Sequence, residues 1–133
     1  MTYAANEFFR EDDLPTKTRT IVDLTQPKTF ASVGAAPLYK RMMPVAFDTV
    51  ANKWKIWASG GANGTGTIKG FIYQPELQID AANDVIGIVL IRGTVHYDDI
   101  VLPAGETAPN LKTALRSGLR ELGIDIQGLD QVR

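Results

Sequence analysis

The stretch Val85-Ile86-Gly87-Ile88-Val89-Leu90-Ile91 constrains the fold of this chain more than any other. It is apolar without interruption, and in a chain of strands such a run implies burial on both faces. With 133 residues in total, one small domain has little protein with which to cover a second face. A neighbouring subunit would supply that cover, so the run points to an oligomer. Val85, Ile86, Ile88 and Leu90 are the candidate interface residues.

From Pro44 onward the pattern is one of strands and turns. Val45-Ala46-Phe47 leads to a turn at Asp48, followed by Lys53-Trp54-Lys55-Ile56-Trp57. The second segment alternates, with Trp54 and Ile56 on one face and Lys53, Lys55 and Trp57 on the other. A tryptophan among lysines has two explanations: it packs beneath a loop, or it is covered by another subunit. The second adds Trp57 to the interface candidates. Thr67 to Tyr73 reads as a strand ended by Pro75, Ala81-Ala82-Asn83-Asp84 as a turn, Arg92-Gly93-Thr94 as a bend and Val95 to Leu102 as a further strand. One helix is predicted, Pro109 to Leu122, because Leu111, Ala114, Leu115, Leu119 and Leu122 share a stripe at helical spacing. Pro109 suits its first turn and Gly123 the position past its end. The opposite face carries Lys112, Arg116 and Arg120, a solvated face or a contact for an acidic partner. Ile124-Asp125-Ile126 alternates as a closing strand. The fold class is therefore mainly β with one C-terminal helix, α+β.

The first 36 residues differ from the rest. They begin polar and charged, and Pro15, Pro27 and Pro37 break any long helix. Residues 1–36 read as an extended N-terminal arm, and residues 37–133 as a β-rich domain able to fold without it. Within the arm, Thr18 to Val22 is β-prone but lacks a sequence-local partner.

Several function classes are disfavoured by composition. The net charge of -1 argues against a general electrostatic grip on nucleic acid or anionic lipid. The chain holds no cysteine and a single histidine, His96, which excludes thiolate and multi-histidine metal sites. No apolar run approaches the roughly 18 residues needed to span a bilayer. The start, MTYAANEFFREDD, lacks the basic and apolar regions of a secretory signal, so synthesis in the cytoplasm is expected. Gly60-Gly61-Ala62-Asn63-Gly64-Thr65-Gly66 fails as a phosphate loop, since Thr67 and Ile68 stand where lysine and serine or threonine belong. Asn63-Gly64 is instead a tight-turn signal. His96 with Asp98 or Asp99 is a weak catalytic set, because strand neighbours point to opposite faces. Neither an enzymatic role nor a cofactor is expected.

The order of segments in the C-terminal part resembles the lambda-type bacteriophage head decoration proteins. Pro44 to Thr49 and Lys53 to Ala58 are similar to that family's opening strands, followed by a glycine-rich loop and the strand Ile68-Lys69-Gly70-Phe71-Ile72. Val89 to Pro103 resembles its strand, glycine bend and strand ending in a proline corner. Leu111 to Ile124, with Lys112-Thr113-Ala114-Leu115-Arg116, resembles its closing helix. The similarity covers residues 38–127. It departs at the long arm and at the excursion Tyr73 to Asp84.

The resemblance implies a β-clip-like fold and a homotrimer. It further implies binding to the major capsid protein at three-fold sites on the outer surface of the expanded head, which is strengthened against the pressure of its DNA. It implies no catalysis, cofactor, nucleic-acid partner or membrane. Another virion β module, such as a tail or fibre subunit, is the alternative. On the decoration reading Lys17-Thr18-Arg19-Thr20-Ile21-Val22 is the capsid-binding part of the arm, adding as a strand to a capsid edge.

Overall fold

A computed structural model describes residues 20–118 and 122–129. Mainly β structure with one α-helix among the described residues is what it shows, as expected. In chain order the strands are β1 (Ile21–Phe30), β2 (Leu38–Lys40), β3 (Pro44–Asp48), β4 (Lys53–Ile56), β5 (Gly70–Ile72), β6 (Glu76–Gln78), β7 (Val85–His96) and β8 (Ile124–Gln127). The helix α1 spans Ala108–Gly118, between β7 and β8.

Six strands form one sheet in the order β1-β4-β3-β5-β7-β8, and β1 also pairs with β7. The first five therefore close into a small barrel. Closure is incomplete, because β1 and β4 meet in register only at Phe30 and Trp54. The antiparallel pair β2/β6 forms a separate two-stranded sheet. It closes one end of the interior, where a side chain at Gly87 would strike both Leu77 and Phe30.

Strand alternation builds two cores from one sheet. Phe30, Val45, Ile72 and Val89 face the barrel interior and meet Tyr39, Leu77 and Ile79 of the β2/β6 region. Their neighbours Ala46, Phe71 and Leu90 point outward and are covered by Leu111 and Leu115 of α1. This corrects the expectation for Val85–Ile91. Its second face is covered in part by the chain's own helix, so Leu90 is fully buried without a partner subunit. Ile86 and Ile88 remain, 68% and 36% exposed.

The arm is likewise corrected. Residues 21–30 form a ten-residue strand antiparallel to β7, running from Ile21 opposite Thr94 to Phe30 opposite Val85. The boundary expected at residue 36 thus falls inside the folded domain. The β-prone segment does have a partner, but more than sixty residues away in sequence.

The expected bend at Arg92-Gly93-Thr94 is a register irregularity within the continuous strand β7. Ile91 and Asp23 have no partner in the β1–β7 register. Leu90 and Val95 can therefore both face the outer core despite their odd separation. Gly93 is paired on both edges, to Val22 and to Ile124. Its φ is +153°, and a Cβ there would lie 2.1 Å from the Ile21 carbonyl oxygen, so glycine is required. The strand predicted to continue to Leu102 ends at His96 and passes into a 3-10 turn, Tyr97–Asp99.

The glycine-rich segment is a loop, with positive φ at Asn63 (61°) and Gly64 (91°) as a tight turn needs. Ser59 ties it to the helix start by donating from its amide and hydroxyl to Glu106, at 2.7 and 3.0 Å. The Ser59 amide is the main reason that the Glu106 carboxyl lies below its ordinary pKa. Thr107 Oγ1 accepts from the Asn110 amide in the first turn of α1. In β8, Ile124 and Ile126 are buried and alternate with exposed Asp125 and Gln127, as predicted.

Candidate interaction surface

The residues expected at a subunit interface divide into two groups. Trp57 belongs to the core of the single chain. It is fully buried among Ala46, Phe71 and Leu115, and its indole N–H donates to the Gly66 carbonyl at 3.1 Å. Of its two sequence readings, packing beneath the glycine loop is the one observed, and both Trp57 and Leu90 leave the interface set. Val85 is half-buried against the barrel interior. Ile86 and Ile88 stay outside. They share the outward face of β7, and across the ladder they oppose Thr29 and Pro27, both exposed. Two isoleucines flanked by a proline and a threonine methyl make a small aliphatic ridge.

Lys17, Thr18 and Arg19 of the expected capsid-binding segment lie outside the described residues. Thr20 directly precedes β1. Ile21 and Val22 open that strand with their side chains 59% and 38% exposed, and their main chain runs beside β7. They are anchored to their own domain along one edge, which the sequence reading did not anticipate.

A second feature escaped sequence reading altogether. At the end of the barrel away from the β2/β6 pair, where β1 parts from β4, lies a recess of about 450 Å³. Lys28, Lys69 and Arg92 line it together with Phe47, Trp54 and Ile91. The Phe47 and Trp54 rings meet edge to face, 5.8 Å between centroids, and the Lys28 ammonium lies 5.3 Å from the Trp54 ring centroid. The three cations come from positions 28, 69 and 92, brought together only by the ring of strands, so no local spacing announces them. Two further lysines of this region form ion pairs. Lys55 binds Asp48 at 2.8 Å and Lys53 binds Asp84 at 2.7 Å. The Lys55 contact, aided by the Val50 and Ala51 amides, holds the Asp48 carboxyl below its ordinary pKa.

His96 caps the 3-10 turn. Its Nδ1 accepts from the Asp98 amide at 3.2 Å, and Gly128 approaches the ring so closely that a Cβ there would lie 2.8 Å from Cε1. Asp98 and Asp99 belong to that turn, not to a strand, so their separation is set by the turn; Asp98 is exposed and Asp99 buried. The Asp98 carboxylate lies 3.7 Å from His96 Nδ1. The observed cap and packing give His96 a structural task. Lys112 lies over the Tyr97 ring, 5.2 Å from its centroid, while Arg116 is exposed and Arg120 lies outside the described residues.

No family model matches the sequence, and no curated protein matches it.

Proposed function

We propose that this protein is a bacteriophage head decoration protein, a β module that assembles as a homotrimer on the expanded capsid and strengthens it. The observation that carries the reading is the aliphatic ridge of Ile86 and Ile88, standing outward on the longest strand of a small, well-packed domain. An aliphatic surface on rigid sheet is suited to a covered contact between copies or with a capsid subunit. The resemblance of residues 38–127 to the decoration family supplies the biological setting. The observed succession of strand pair, glycine loop, strand, long strand with a glycine irregularity, helix and closing strand is compatible with it.

On this reading each copy contributes modest energy, and a trimer touching several capsid subunits sums those contributions through multivalency. Selectivity for the expanded shell follows if the docking surface exists only after expansion. The segment Lys17–Val22 retains its proposed role in a revised form. β7 holds Ile21 and Val22, the last two residues of that segment, in extended conformation.

A double variant, Ile86→Glu with Ile88→Glu, tests the reading. Both side chains are at least partly exposed, so the free protein should keep its thermal transition within a few degrees. Decoration of expanded heads should fall by about tenfold or more, since charge in a buried contact is costly. Undiminished decoration by the variant would remove the ridge from the proposal.

A further inference from the structure

We infer that the open seam of the barrel, along the outer edge of β1, accepts an extended polypeptide segment that carries acidic side chains. The inference requires neither a capsid nor a trimer and stands apart from the proposal above.

Main-chain geometry comes first. The Ile88 amide donates to Gln74 Oε1 at 2.7 Å, and its carbonyl accepts from the Tyr73 amide at 2.9 Å. Both groups therefore point toward the β5 side of β7 and away from β1. Pro27, opposite Ile88, must then sit in a non-hydrogen-bonded pair, with its own carbonyl directed to the far edge of β1. Proline has no amide to lose there, which explains how it is tolerated within the strand. Leu90 lies two residues beyond Ile88, so by the same alternation Thr25 presents both its amide and its carbonyl to the far edge. Among the described residues that edge is in register with β4 only at Phe30. From Thr25 to Pro27 it offers one donor and two acceptors in strand geometry.

The chemistry beside the edge selects the occupant. A strand laid there sends every second side chain toward the barrel interior. At that end the interior is the recess of Lys28, Lys69 and Arg92 over Phe47, Trp54 and Ile91. Carboxylates would meet the Lys28 ammonium and the Arg92 guanidinium in charge-assisted hydrogen bonds, and their methylene groups would lie on the aromatic rings. A nucleic acid would satisfy the cations but leave the main-chain edge unused. A polypeptide strand satisfies both, the former by its side chains and the latter by strand addition.

The probe is a blocked ten-residue peptide alternating glutamate and valine, titrated into the full-length protein while tryptophan fluorescence is followed. Trp54 lines the recess and should report occupancy. Saturable binding is expected, weakened about tenfold or more by Lys28→Glu with Arg92→Glu. The milder pair Lys28→Gln with Arg92→Gln should also weaken it and serves if the first pair fails to fold. A peptide N-methylated at alternate residues should bind at least about tenfold more weakly, because the ladder is lost. Equal binding by a lysine–valine peptide or by the N-methylated peptide would overturn the inference, as would tighter binding of a ten-nucleotide oligothymidylate or no binding of the acidic probe.

Discussion

A chain beginning at Pro37 is expected to lose cooperative unfolding altogether. Residues 1–36 read as separable from the sequence alone, but β1 is the strand that closes the barrel. Its removal strips β7 of its longest ladder, from Ile21 opposite Thr94 to Phe30 opposite Val85. It also empties the interior of Phe30, which is fully buried. Deleting such a phenylalanine side chain alone costs about 3–5 kcal/mol. Domains of this size are stable by only about 5–15 kcal/mol, and the lost ladder adds to the deficit. Far-ultraviolet circular dichroism on heating should show a broad, non-cooperative change where the full chain shows a single transition. A shortened protein that melts sharply near the parental midpoint would show that β1 is dispensable.

Trp57→Ala should destabilise the isolated chain by about 3–5 kcal/mol, the range for emptying a large aromatic site in a core. For a domain of this length that lowers the melting midpoint by roughly 10–20 °C. The Gly66 carbonyl loses its indole donor as well, so the glycine loop should loosen together with the core. The decisive feature is the dependence on protein concentration. A core residue shifts the midpoint equally at all concentrations, whereas an interface residue acts through mass action. Denaturation of parent and variant across a hundredfold dilution series should show the same loss throughout. A loss that vanishes on dilution would return Trp57 to the subunit interface.

What the sequence revealed depended on whether the signal was local. Alternation in Lys53–Trp57 and in Ile124–Ile126, the helical stripe of Leu111 and Leu115, and the Asn63-Gly64 turn are each contained in a few residues, and each was legible. β1 was not, because its stabilisation comes from a distant partner and from a single fully buried side chain, Phe30. Asp23, Gln26, Pro27 and Lys28 break the apolar pattern that marks a strand. The run Val85–Ile91 implied two covered faces, but the second is covered only at Leu90, while Ile86 and Ile88 stay exposed. Only the three-dimensional arrangement assigns one face to the barrel interior and Leu90 on the other to α1, leaving Ile86 and Ile88 outward. The recess of Lys28, Lys69 and Arg92 was invisible for a similar reason, since it is a property of closure and not of spacing.

Whether the protein decorates a capsid can be seen by mixing the purified full-length protein with expanded heads that lack it and imaging the product by cryo-electron microscopy. Added density is expected at the three-fold positions of the shell, resolvable as three copies of this fold. The ridge of Ile86 and Ile88 should be covered in that density. Heads that remain bare at saturating protein, or that carry isolated single copies away from the three-fold axes, would contradict the proposed function.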